Sequence, residues 1–351
     1  MSTLSVNTVS GTRELHTLLS AACKAGVTTL VLGPPGVGKT SLIRQVAAEN
    51  HRTYHGLDAQ MASPEDLGGI PWVQADGETM KCTRPAWLPD AGNGQSVCMV
   101  DDLGNCPSPV IMAGLYSFAL DGKSGSHQLH PDTWRVLASN RPSDKSGAVA
   151  MNPTLANRLM VLQYSGPSDS EWLHDFANPS GVNIHVREFI GAYPTALNSF
   201  DGSKPTNSTP RSWALAGKMI DSLGIKDVTL LRTALAGIVA EDDAIKLITN
   251  IQIGNLIPQV AEIVADPKSA KMPPKDRMDL HYALLGRIKA SCTPVDFNQV
   301  WDYFTRPDSS VRKELQVTAV KFMQIASGNG LVGQPVMAKI MADPDIRRLF
   351  A

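Results

Sequence analysis

The stretch Gly33-Pro34-Pro35-Gly36-Val37-Gly38-Lys39-Thr40 matches the phosphate-binding loop pattern G-x-x-x-x-G-K-[ST] at every fixed position. Glycines let the backbone curl until successive N–H groups face phosphate oxygens, and the helix that follows adds its partial positive charge. Lys39 is the cation for the β- and γ-phosphates. The Thr40 hydroxyl is a magnesium ligand, and Ser41 lies in the same helical turn. A plain Gly-Pro turn between strand and helix is the competing reading. The apolar run Val27–Leu32 before the loop and the helical pattern Ser41–Ala48 after it favour the phosphate site.

Two further strand ends carry polar groups suited to the same chemistry. Asp101 closes the apolar run Ser96–Val100, where an acid can hold the water shell of magnesium. Asp102 beside it can take the proton of an attacking water as general base. Asn140 closes the run Thr133–Ser139 and is suited to orient that water. An Asp-Asp pair or an Asn after a strand otherwise serves as a turn or helix cap. The expected ligands are ATP and Mg2+.

The elements that must position these groups alternate. A helix over 12–24 ends at Ala25-Gly26, and a strand over 27–32 leads into the loop. A strand over 51–57, a short helix or turn over 63–70, and an irregular loop or hairpin over 71–94 follow. A strand over 96–100, a helix over 107–120, a strand over 133–139 and a short strand over 159–162 complete the set. Such alternation argues for a parallel sheet with helices on both faces. From Pro167 onward the patterns are helical, over 169–177, 184–192, 211–223, 227–240, 242–250, 254–265 and 276–290. The expected organisation is an αβ nucleotide-binding domain over 1–166, a helical domain over 167–290 and a helical C-terminal extension over 291–351.

At 351 residues the chain is long for one core, in keeping with two subdomains. The formal net charge of −1 gives no global basic field for nucleic acid. Five cysteines, with no C-x-x-C pair, argue for a reducing compartment, with Cys23 and Cys98 as small core residues. No apolar run approaches the ~18 residues that span a bilayer. Met1–Ser5 lacks the features of a secretion signal, so a soluble, cytoplasmic protein is expected. The pairs His51/His55 and His127/His130 have metal-like spacing without a third ligand and are read as solvated or structural. Lys268, Lys271, Lys275 and Arg277 sit among prolines and are read as an exposed loop.

The order of these parts resembles the AAA+ ATPases and, within them, the MoxR-like branch. Gly33–Thr40 resembles their Walker A element, and Val97–Asn105 their Walker B and the segment after it. Val136–Pro142 looks like the sensor 1 strand. Asn152–Leu159 resembles the segment that ends in a trans-acting arginine finger, here Arg158. Ser208–Trp213, with Arg211, is similar to the start of the sensor 2 helix, and Pro64–Gly69 echoes a further segment of that branch. The resemblance spans about residues 12–290. It implies a P-loop NTPase with an AAA+ core and an all-helical lid, assembled into a homo-oligomeric, hexameric ring. It also implies a chaperone-like role on a protein client, often one with a von Willebrand factor A-type domain. One position departs: the family has Asp-Glu where this chain has Asp101-Asp102, one methylene shorter at the base, which puts the hydrolysis rate in question.

Three functions stay open at this point: remodelling of a protein partner, a nucleic-acid motor or loader, and a nucleotide-dependent scaffold with weak hydrolysis. A motor should line its pore with Lys, Arg and aromatic side chains. The hairpin candidate Leu120–His130 offers one lysine, two histidines and no aromatic. That favours a protein client, touched by the insert over 71–94 and by the Gly122–Ser126 turn.

Overall fold

The computed structural model describes residues 8–9, 11–149, 157–327, 331 and 335–348. The chain forms two compact units, one of residues 1–166 with 200–203 and one of residues 167–199 with 204–351.

The first unit is built on a parallel sheet of six described strands: β1 (Thr8–Val9), β2 (Thr29–Leu32), β3 (Thr53–Asp58), then β6 (Ser96–Asp101), β9 (Trp134–Ser139) and β10 (Met160–Tyr164). Their order across the sheet is β1-β10-β2-β9-β6-β3. Between β3 and β6 lies the hairpin β4 (Pro71–Val73) and β5 (Met80–Cys82), and between β6 and β9 the hairpin β7 (Lys123–Ser124) and β8 (His127–Gln128). Strand residues alternate between faces. Val97 and Met99 of β6 join Val136 and Ala138 of β9 in a core under α1 (Thr12–Ala25) and α2 (Lys39–Glu49). Cys98, Val100 and Leu137 face the other way, against Ile111, Leu115 and Phe118 of α4 (Pro109–Asp121). The sheet is therefore apolar on both sides, as a parallel sheet covered by helices must be.

Local signals set the helix ends. Gly26 takes a left-handed conformation (φ 68°) at the end of α1. Ser63 and Asp66 cap α3 (Pro64–Gly68) reciprocally. Cys23 and Cys98 are fully buried, and burial pushes the Cys98 thiol up to about 12. The short β1 was not foreseen from the sequence.

The second unit is helical. Asp169–Glu171 continues into a wider turn, Trp172–Ala177, followed by α5 (Ile184–Ala192), α6 (Pro210–Leu223), α7 (Val228–Ala236) and α8 (Glu241–Ile253). Then come α9 (Val260–Ala265), α10 (Met278–Ser291), α11 (Phe297–Thr305), α12 (Lys313–Ala326), α13 (Pro335–Ala342) and α14 (Pro344–Arg348). One core gathers Trp172, Phe189, Trp213 and Leu247. A second runs from Ile257 to Ile346, so residues on both sides of position 290 share it.

Helices α5 and α10 touch backbone to backbone. A Cβ on Gly286 would stand 2.0 Å from the Glu188 carbonyl oxygen, and one on Gly191 would stand 2.8 Å from that of Gly286. Beside this crossing Arg287 pairs with Glu188 at 2.7 Å, both buried, and also donates to the Ile257 carbonyl. Lys289 pairs with Asp169 at 2.6 Å.

One buried ionisable group has an incomplete set of partners. His281 of α10 is 2% exposed. Its Nε2 lies 3.1 Å from the Pro274 carbonyl and so carries the proton of the neutral ring, while Nδ1 is buried without a partner. Burial holds its pKa below the ordinary histidine value, against the opposing pull of the Pro274 carbonyl. The unfolded ring takes up a proton at a higher pH than the folded one. Its contribution to stability is therefore complete above the unfolded value of about 6.5 and is lost as pH falls. The urea midpoint of the intact protein should drop between about pH 7.5 and about pH 5. His281→Gln, which cannot titrate, should flatten that dependence. His55 and His185, lowered by the same burial, keep the remainder. A variant with the parent's full pH dependence would clear His281 of this role.

Candidate functional site

β2 ends at Leu32, and the loop begins with the Gly33 N–H donating to the Ser139 carbonyl at 3.1 Å. A Cβ on Gly33 would stand 2.3 Å from the Tyr164 carbonyl oxygen, so only glycine lets the chain leave the sheet this close to β10. Gly38 adopts φ 96°, in the left-handed region open to glycine. Pro34 and Val37 are buried and Pro35 and Gly36 half-buried, which seats the loop on the sheet. Helix α2 starts from Gly38 with no side-chain cap and no acidic residue in its first turn. Its positive end is thus not neutralised by a carboxylate of its own. Ser41 is exposed in that turn.

The strand order brings three strand ends together. β9 lies between β2 and β6, so Asn140 stands between the loop and the acid pair. Lys39 is 7% exposed. Its ammonium donates to the Gly33 carbonyl (2.7 Å), the Pro34 carbonyl (3.0 Å) and Asn140 Oδ1 (2.9 Å). The other end of the Asn140 amide, Nδ2, donates to Asp102 Oδ1 at 3.2 Å. The Asp102 N–H donates to Asp101 Oδ1 (3.0 Å), and the Thr40 hydroxyl to Asp101 Oδ2 (2.5 Å). Lys39, Asn140, Asp102, Asp101 and Thr40 thus form a closed circuit that begins and ends on consecutive residues of α2.

Asp102 is held in an unusual backbone state, φ 49° and ψ 38°. A tight turn, Leu103–Asn105, follows at once, with the Asn105 N–H donating to the Asp102 carbonyl at 2.9 Å. Ser139, the last residue of β9, meets this turn. Its hydroxyl accepts from the Gly104 N–H (3.0 Å) and donates to the Asn140 carbonyl (3.0 Å).

The donor set fits a magnesium nucleotide. Thr40 and Asp101 present oxygen ligands side by side, the type a hard divalent cation takes together with waters. Lys39 supplies a buried ammonium on the loop side.

Arg158 is exposed in the turn before β10 and has no hydrogen bond or ion pair among the described residues. Residues 152–156 of the segment leading to it lie outside the described residues. Arg211 is exposed in the first turn of α6, in the second unit, behind a reciprocal cap of Thr209 and Ser212. Among the described residues no histidines, cysteines or acids cluster as a metal site. His127 instead contacts the Thr83 carbonyl at 3.1 Å. Sequence reasoning missed Ser139 and Gly104. Both lie inside segments singled out for their neighbours, and only the pairing of β9 with the turn reveals them.

No family model matches the chain, and no curated protein sequence matches it. Among solved structures, the chain is similar to the Holliday junction branch migration motor RuvB of Thermotoga maritima, at 17% identity over 69% of each chain with a TM-score of 0.39. It is also similar to NtrX of Brucella abortus, at 14% identity over 90% of this chain and 69% of that one, TM-score 0.43. NtrX in complex with ADP matches at 14% identity over 80% and 63%, TM-score 0.41.

Proposed function

We propose that this chain is an AAA+ ATPase of MoxR-like type, which couples ATP binding and hydrolysis to remodelling of a protein partner. The observation that carries the reading is the circuit of Lys39, Asn140, Asp102, Asp101 and Thr40 around a glycine loop at a helix N-terminus. Bound magnesium would supply charge neutralisation between the phosphates, held by Thr40 and by Asp101 through its waters. Lys39 exchanges its loop carbonyls for phosphate oxygens. Asp102 takes the proton of the attacking water, and Asn140 keeps that carboxylate and the water in line. The backbone N–H groups of Gly36 to Ser41 wrap the phosphates, and Gly33, Pro34 and Pro35 shape the loop that presents them.

In this reading the protein acts as a homo-oligomeric, hexameric ring in the cytoplasm. Arg158 serves the neighbouring subunit's nucleotide and Arg211 reads the nucleotide from the helical lid, residues 167–290, with 291–351 as its extension. The exposure of Arg158 without a partner among the described residues supports the first assignment. A protein client, such as one with a von Willebrand factor A-type domain, is favoured over nucleic acid by the β4–β5 hairpin. Ile70, Trp72, Val73 and Met80 are all exposed there. Ile70, Val73 and Met80 outnumber the one aromatic, Trp72, and the one lysine of the two strands, Lys81, which suits a protein surface better than a nucleic-acid groove built of basic and aromatic side chains.

Lys39→Ala should abolish tight ATP binding in a calorimetric titration, because the one ammonium within the circuit is removed. Unchanged affinity would refute the site. Asp102→Asn is nearly the same shape and should keep ATP bound while turnover falls by about 100-fold or more, read by phosphate release.

Arg158→Ala should bind ATP normally and fail to hydrolyse it, since the guanidinium is needed only in the transition state. Mixing Arg158→Ala with Lys39→Ala subunits should restore part of the activity, at interfaces where an intact loop faces an intact arginine. Mixtures that co-assemble and stay inactive at every ratio would place the finger elsewhere.

A further inference from the structure

We infer that Ser139 is a positioning residue for the hydrolytic water: its hydroxyl clasps the turn after Asp102 and thereby sets where the Asp102 carboxylate stands. This rests on the ATPase reading above. Ser139 is 4% exposed, and its hydroxyl is used in both directions, accepting from the Gly104 N–H at 3.0 Å and donating to the Asn140 carbonyl at 3.0 Å. One side chain therefore holds both residues that flank the water, Asp102 through its turn and Asn140 through its own peptide. The fit has no slack. A Cβ on Gly104 would lie 2.5 Å from Ser139 Oγ and 3.0 Å from the Ala148 Cβ.

The remaining bonds on the turn do not replace this clasp. The Asn105 N–H closes back on the Asp102 carbonyl, and the Cys106 N–H on that of Leu103, both within the turn. The Gly104 carbonyl accepts from the Val149 N–H at 2.8 Å, which ties the turn to the segment after Asn140 and not to the end of β9. Asn105 Nδ2 donates to the Ser146 carbonyl (2.9 Å), again beyond Asn140, and the Asn140 amide reaches the Asp102 carboxylate itself (3.2 Å); the Ser139 hydroxyl ties the backbone of the turn to the strand that carries Asn140. Removing it leaves a buried N–H without an acceptor, and the turn must move to find one. The base then shifts relative to Asn140, while Lys39, Thr40 and the loop keep their own contacts. Ser139 also holds the Gly33 N–H, but through its backbone carbonyl, which no side-chain change removes.

The test separates turnover from binding in the full-length protein. Ser139→Ala should lower kcat by about tenfold or more, since small misplacements of a catalytic group are costly, with ATP affinity by calorimetry within about twofold of the parent. Ser139→Thr, which keeps the hydroxyl, should recover most of the loss. Gly104→Ala should reproduce the kcat defect from the other side of the contact. Combining it with Ser139→Ala should cost less than the two singly, because the Oγ that meets the new Cβ is gone. Hydrogen exchange gives a readout free of turnover: the Gly104 amide should exchange faster in Ser139→Ala, with the loop amides unchanged. A kcat like the parent's, or a loss of affinity in step with kcat, would overturn the inference. So would an unchanged Gly104 amide. A parent without ATPase activity would instead remove the reading on which it rests, and the two failures are told apart by assaying the parent first.

Discussion

The bond from Lys39 to Asn140 is the contact on which the rest of the site depends. A buried ammonium is tolerable only when oxygens surround it, and here two come from the loop backbone and one from a neighbouring strand end. That third oxygen is available because β9 is inserted between the loop strand and the acid strand. If β6 paired directly with β2, the lysine would face the acids with no amide between them. The amide matters because it is polar at both ends. It accepts from the cation and donates to Asp102, so the charge at the loop bears on where the Asp102 carboxylate stands.

The same arrangement explains why the sheet must be apolar on both faces. The circuit needs three strand ends in fixed register, and register is strongly specified where side chains are buried. Leu32 is opposite Ser139, and Val100 is opposite Leu137. The two helix-covered cores hold these pairings, and the polar groups occupy only the ends, where the strands run out.

Much of this was legible in the sequence because the signals were local. The loop pattern, the Gly26 cap, the capped Ser63 turn and the apolar runs before Asp101 and Asn140 each announce themselves within a few residues. The grouping of Lys39, Thr40, Asp101, Asp102 and Asn140 was read from strand ends and an expected switch point. What escaped was set by distant pairing. β1 is two residues long and exists because Val9 finds Tyr164, which no propensity in its own neighbourhood could indicate. Pro258 interrupts the long helix expected over 254–265, leaving a short turn and then α9. The core that continues through position 290 was hidden for a similar reason, since its members are spread over some ninety positions. Ser139 and Gly104 carry no motif of their own and become meaningful only as a contact.

The backbone at Asp102 bears on which acid this position can accommodate. A left-handed conformation is open to aspartate and asparagine, whose short side chains bond locally, and is unfavourable for longer side chains by roughly 1 kcal/mol. Aspartate is therefore the acid that suits this turn, and glutamate would gain reach at the expense of the turn's stability. Gly104, packed against the Ser139 hydroxyl, leaves little room for the turn to relax and absorb a longer neighbour. Position 102 and Gly104 are thus coupled through the bend that they share with the Ser139 hydroxyl. Exchanging the short carboxylate for the long one would mean rebuilding the bend beneath it, so the acid and its turn are one unit of design and not two.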